Sequence, residues 1–225
     1  MAYWEQKTVS TWPIVFLFYG IGLPLVSCES KPKSEALPYC NTADFTPVFV
    51  EKESEVEIKI PHTIANFSFQ NQDSEIVTQK NVENKIHVAN FFFTSCPTIC
   101  PKMTGQMKKL QEAFKNKKEV ILLSYSVMPW IDTPTRLHEY AKNKGVITGK
   151  WHLLTGNKAT IYELARKSYF AEENIGYTKD STQFLHTEHF LLIDKTKRIR
   201  GVYNGTLDLE IEQLIKDIET LAVQP

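Results

Sequence analysis

The chain has 225 residues, half again the ~150 of a common domain, which predicts one domain with extra segments. Its 26 Lys+Arg balance 26 Asp+Glu, so the formal net charge is zero, which excludes a partner held mainly through phosphate charge, such as nucleic acid. A hydrophobic fraction of 42% belongs to a globular chain and excludes disordered, collagen-like and coiled-coil classes, and four cysteines are too few for a disulfide scaffold.

From Trp12 to Val26 the chain reads WPIVFLFYGIGLPLV, without a charge. That is shorter than the ~20 residues a membrane-spanning helix needs, and Gly20, Gly22 and Pro24 weaken it further. It fits the apolar region of a secretory signal peptide, with Lys7 supplying a weak basic flank. The run ends in Leu25-Val26-Ser27-Cys28, which resembles the bacterial lipobox, so residues 1–27 read as a lipoprotein-type signal peptide and Cys28 as the lipidated residue. An uncleaved anchor with an incidental Cys28 is the alternative. Either way the remaining chain stands outside the cytoplasm in the cell envelope, tethered to a membrane. Residues 28–50 are polar and Pro-bearing without a helical or strand period, hence a flexible tether. Residues 51–225 form the domain.

Within it, Glu55–Ile60 alternates and reads as a half-buried strand with Val56, Ile58 and Ile60 on its apolar face. Two short alternating runs between His62 and Thr78 flank Asn71-Gln72-Asp73-Ser74, a hairpin signal. Ile86–Phe93 is nearly all apolar, the mark of a strand covered on both faces. Pro101–Lys118 has Met103, Met107, Leu110 and Phe114 at helical spacing. Val120–Val127 is a second buried strand. Asp132-Thr133-Pro134 opens a helix to about Lys144, with Asp132 read as its cap. A short strand at Trp151–Leu154, a helix at Lys158–Lys167, a hairpin of His189–Ile193 with Arg198–Tyr203, and a helix at Leu207–Leu221 complete the chain. This order predicts an α/β sandwich with a mainly parallel central sheet, flanking helices and an added N-terminal hairpin.

Cys96-Pro97-Thr98-Ile99-Cys100-Pro101 lies directly after the aromatic strand and directly before a helix. Cysteines four apart on a helical first turn place both sulfurs on one face. The positive helix N-terminus there lowers the pKa of Cys96. Such a pair can be oxidised to a disulfide or can hold a soft cation such as Cu(I). Zinc fits poorly, since no two further Cys or His ligands lie at close spacing. A plain structural disulfide is the bland alternative, and one closing so short a loop adds little stability.

The FFFTSCPTICPKM segment, the later SVMPWIDTP and the His186-Thr187 dipeptide opening a late strand resemble the SCO/SenC family of thioredoxin-like copper proteins, over roughly Asp44 to Leu221. The resemblance implies a thioredoxin-like sandwich and one copper, Cu(I) or Cu(II), held by Cys96, Cys100 and a histidine. It also implies a metallochaperone role in assembling the dinuclear copper site of cytochrome c oxidase. The resemblance implies the copper-bearing oxidase subunit as a partner; a cysteine pair that tends to oxidise outside the cytoplasm implies a thiol reductant or copper donor protein, and the lipobox implies the membrane through a lipid anchor. His186 and His189 both flank the late strand; only His186 precedes a Thr at the family's distance, so His186 is the expected ligand and His189 a strand residue. Two departures bear on the surroundings of the ligands: Leu185 stands where family members often have Asp, and Met128 replaces the first Asp of the later motif, leaving Asp132 alone. Cys40 matches no family ligand.

Other residues have simpler readings. Met103 and Met107 follow Cys100 in a helical stripe that reads as core filling. His62, His87, His138 and His152 lack mutual spacing and read as structural, and the Lys108, Lys109, Lys115, Lys117 and Lys118 cluster reads as a solvated helix end. The competing function is an extracytoplasmic thiol–disulfide oxidoreductase using Cys96 and Cys100 as its redox pair; a redox sensor or pure interaction module is a third class.

Overall fold

The computed structural model describes Met1, residues 36–171 and residues 187–224. The apolar run at 12–26, Cys28, Leu185 and His186 lie outside the described residues. Among the described residues no helix is long and apolar enough to cross a membrane.

The strands are β1 (Tyr39–Cys40), β2 (Pro47–Val48), β3 (Ser68–Gln70), β4 (Ile76–Thr78), β5 (Ile86–Phe92), β6 (Val120–Ser126), β7 (Trp151–Leu154), β8 (His189–Ile193) and β9 (Ile199–Asn204). The helices are α1 (Val56–Lys59), α2 (Gln79–Val82), α3 (Ile99–Phe114), α4 (Pro134–Lys144), α5 (Lys158–Glu163), continued by a π-turn over Leu164–Ser168, and α6 (Asp208–Ala222). Seven strands form one mixed sheet in the order β2-β1-β9-β8-β5-β6-β7, and β3 and β4 form the separate hairpin expected around Asn71–Ser74. β5, β6 and β7 run parallel, while β8, β9 and β1 extend the sheet antiparallel.

Every residue of β5 and of β6 is buried, as expected of strands covered on both faces. Their alternation divides the core in two. Val88 and Phe92 of β5, Leu122 of β6 and Phe190 of β8 face Met103, Met107 and Leu110 of α3, Leu137 of α4 and Leu214 and Ile218 of α6. Ala89 and Phe91, Leu123 and Tyr125, and Leu191 face the opposite way, toward α5 and the β3–β4 hairpin. Helices thus cover one face, and a helix with a hairpin covers the other, the layering of a thioredoxin-like sandwich.

Three local expectations are corrected. Glu55–Ile60 is helical rather than extended: a 3-10 turn at Glu53–Glu55 leads into α1. Val56 and Ile60 are four apart and both buried, while Ile58 is 82% exposed, so one helical face, and not an alternating strand face, is apolar. The stretch read as tether to residue 50 carries β1 and β2. Their attachment is nonlocal: Cys40 pairs with Ile199, and Arg200 donates from Nε to the Pro38 carbonyl at 2.9 Å. The Arg200 guanidinium lies 3.9 Å from the Tyr39 ring centroid and pairs with Asp194 at 3.1 Å. Finally, α3 begins at Ile99 and ends at Phe114, so Lys115, Lys117 and Lys118 follow the helix instead of occupying its last turn.

Candidate metal centre

β5 ends at Phe92 and α3 begins at Ile99, and the intervening turn sits at the carboxyl end of the parallel strands, where α/β folds place their ligand sites. Cys96 stands two residues before the N-cap Thr98, ahead of the helix and not within its first turn, while Cys100 is the second helical residue. Both sulfurs are free and both cysteines are buried, in one cluster with Phe92, Met103, Met107 and Phe190. The Thr98 side chain makes no capping bond. Instead the backbone N–H of Cys100 donates to Cys96 Sγ at 3.4 Å, so sulfur does the work of a cap on an otherwise open helix end.

This contact differentiates the two thiols. Burial pushes Cys96 up, but hydrogen bonds from Cys100 and Thr98 outweigh it and bring the group down to about 7. Burial dominates at Cys100 and pushes it up to about 12, against a smaller lowering from the Phe93 backbone; the Cys96 sulfur and the Asp132 carboxylate add to the rise. Near neutral pH the pair is therefore one sulfur poised between thiol and thiolate beside one protonated thiol.

Asp132 is not the cap of α4. Thr133 takes that place, its side chain accepting from the Arg136 backbone N–H, with Pro134 opening the helix. Asp132 is fully buried and bonded to Thr94, two residues before Cys96. Its carboxylate accepts from the Thr94 N–H at 3.1 Å, from Thr94 Oγ1 at 2.5 Å and from Ser126 Oγ at 2.6 Å, and it lies 3.8 Å from Arg136 Nε. Sequence reasoning missed Thr94, Ser126 and Arg136; a lone polar pair, Thr94-Ser95, between the aromatic strand and Cys96 was the available signal.

Five of the six histidines are described. His62 Nε2 lies 2.8 Å from the Ser168 carbonyl, His87 Nε2 lies 3.2 Å from the Tyr169 hydroxyl, His138 lies 3.5 Å from Asp73, and His152 Nδ1 is 3.3 Å from Asn71 Nδ2. His189 opens β8, with Phe45 edge-on to its ring at a centroid distance of 6.1 Å. It alternates with Phe190, which belongs to the cysteine cluster, and shares its parity with Leu191 and Ile193 of the opposite cluster. Cys40 is buried in that opposite cluster. Among the described residues no three of His, Cys, Asp and Glu come together as a metal-binding group. The pair Cys96 and Cys100 is the part of the expected site that is described.

The sequence model of the SCO1/SenC family matches residues 56–223. A curated relative, the SCO1 protein homolog of Bacillus subtilis, is 32% identical over 168 residues, covering 73% of this chain and 86% of its own. A solved SCO1/SenC family lipoprotein from Bacillus anthracis superposes with a TM-score of 0.62 at 32% identity, covering 72% of this chain and 95% of its own. BsSco, described as having a disulfide switch and as a member of the Sco family of cytochrome c oxidase assembly proteins, gives 0.61 at 31%, covering 73% and 95%. Arabidopsis thaliana ScoI, solved with copper bound, gives 0.53 at 25%, covering 69% and 98%. The chain is a member of the SCO1/SenC family.

Proposed function

We propose that this protein is a membrane-tethered copper chaperone that binds one copper ion through Cys96, Cys100 and His186 for assembly of the dinuclear copper site of cytochrome c oxidase. The observation that carries this reading is the free Cys96–Cys100 pair at the carboxyl end of β5, in a chain of this family. Two thiolates and one neutral imidazole are a soft donor set suited to Cu(I). Cys96 supplies a sulfur that ionises readily near neutral pH, and Cys100 loses its proton as the metal enters. His186 is favoured as the imidazole because the five described histidines are engaged elsewhere, His189 on the sheet face away from the cysteines. Three ligands leave a side of the ion open, so a ligand from the recipient can bind before the first ones leave. The lipoprotein relative and the Leu25–Cys28 lipobox support an anchor at Cys28 on the extracytoplasmic side of the envelope. A host strain lacking this protein should lose cytochrome c oxidase activity, regain it with the wild-type chain and not with Cys96→Ser. Full activity with Cys96→Ser would contradict the proposal.

The split between the two thiols favours a second reading, reduction of a disulfide in the recipient. Cys96 Sγ attacks one recipient sulfur and releases the other as a thiolate. Cys100 then gives up its proton and attacks Cys96 Sγ, releasing the second recipient thiol. The recipient disulfide gains two electrons, and the Cys96–Cys100 pair loses two in forming its own disulfide. Disulfide reduction by the metal-free chain, lost in either cysteine variant, would support this activity.

A further inference from the structure

The turn that presents Cys96 is closed by long contacts. The Cys96 N–H reaches the Phe93 carbonyl at 3.4 Å, the Cys100 N–H donates to Cys96 Sγ at 3.4 Å, and Cys96 Sγ lies 3.9 Å from Thr98 Oγ1. The firm attachment is one step back, at Thr94, and it runs to Asp132. We propose that Asp132 is the positioning residue of the Cys96–Cys100 pair, fixing through Thr94 the pose in which the two sulfurs share a copper ion or close on each other. The copper consequence rests on the function proposed above; the consequence for the thiol pair does not.

The argument comes from the direction of each hydrogen bond. Arg136 Nε donates to Thr94 Oγ1 at 2.7 Å, which commits the Thr94 proton to Asp132. The Met128 N–H donates to Ser126 Oγ at 3.1 Å, which commits the Ser126 proton to Asp132 as well. The Thr94 backbone N–H completes the set. Every partner is a donor, so the site takes a carboxylate, and a carboxamide would turn its NH2 against at least one of them. The carboxylate thereby joins the ends of β5 and β6 and the start of α4 at one point two residues from Cys96. Its own helix does not need it, because Thr133 caps α4. Groups that hold metal ligands in place from behind are commonly worth 10- to 100-fold in metal affinity.

The test uses the full chain, reduced and anaerobic, as wild type and as Asp132→Asn, Thr94→Val, Thr94→Ser and Thr133→Ala. Cu(I) affinity is measured against a competing chelator. The Cys96–Cys100 disulfide is equilibrated with glutathione, where one oxidised glutathione and the dithiol give the protein disulfide and two reduced glutathiones. Thermal unfolding runs alongside. Asp132→Asn and Thr94→Val should each weaken copper binding about 10- to 100-fold. Each should also shift the glutathione equilibrium about tenfold, or ~30 mV for a two-electron couple. Thr94→Ser, which keeps the hydroxyl, should stay within about twofold of wild type, and Thr94→Val separates position from charge because Asp132 is retained. Thr133→Ala should lower the melting temperature without moving either equilibrium, which separates positioning from general stability. If Asp132→Asn does not fold, Thr94→Val against Thr94→Ser decides. Unchanged copper affinity and unchanged thiol equilibrium in folded Asp132→Asn or Thr94→Val would overturn the proposal. If the wild type binds no copper, the copper function fails, and the glutathione equilibrium alone then supports the positioning role by shifting or overturns it by standing still.

Discussion

The backbone N–H of Cys100 donates to the sulfur of Cys96 at 3.4 Å, so the second cysteine of the motif stabilises the thiolate of the first. The reactivity of the pair should follow. In Cys100→Ser, which keeps the same N–H, alkylation of Cys96 by iodoacetamide should rise with pH to a midpoint below that of an unperturbed thiol. In Cys96→Ser, Cys100 should remain less reactive than an ordinary thiol, because burial, the largest cause of its rise, is retained when the Cys96 sulfur is lost. A midpoint of Cys96 in the ordinary thiol range would show that the contact does not form in solution.

The ligand assignment separates three residues by one assay. Cys96→Ser and Cys100→Ser should abolish Cu(I) binding by competition titration. His186→Ala should weaken it strongly while leaving a thiol pair that still exchanges with glutathione. His189→Ala, on the sheet face away from the cysteines, should change affinity by less than about twofold. Normal binding by His186→Ala with loss in His189→Ala would reassign the imidazole.

His87 makes stability fall with acid. Burial in β5 lowers it from 6.5 to about 3, so the folded chain holds this ring neutral where the unfolded chain protonates it. The unfolded state then binds more protons throughout that window, and stability is full above about pH 6.5 and lost as pH falls toward 3. The loss amounts to about 3 kcal/mol between pH 6.5 and pH 4. Chemical denaturation across this range should give a steeper decline for the wild type than for His87→Gln. Parallel curves would mean that the ring is not sequestered.

The helical reading of Val56–Lys59 predicts opposite outcomes at two isoleucines. Ile58 is 82% exposed and Ile60 is 0% exposed. Ile58→Ser should leave stability within about 0.5 kcal/mol, whereas Ile60→Ala should cost about 2–5 kcal/mol in urea unfolding. Comparable losses at both positions would restore the alternating strand.

That segment also marks where the sequence was readable. Ile86–Phe92 and Val120–Ser126 are mostly apolar and admit one interpretation, and the contiguous CPTICP motif carries its chemistry in a single stretch. EVEIKI satisfies a two-residue period and, through Val56 and Ile60, a four-residue spacing as well; tertiary burial chose the latter. β1 is two residues long and exists because β9 offers an edge and Arg200 a partner, neither visible near Tyr39. Asp132 drew notice within its motif, but its role depends on Thr94, Ser126 and Arg136, which three separate elements deliver. Local pattern can name such a residue and cannot name its partners.

The central claim is tested most directly by anaerobic titration of the reduced full chain with Cu(I) against a chelator of known affinity. One tightly bound copper per chain, lost in Cys96→Ser, is the result predicted. Failure to compete for copper while both Cys96 and Cys100 titrate as free thiols would contradict it and leave thiol–disulfide exchange as the function of the pair.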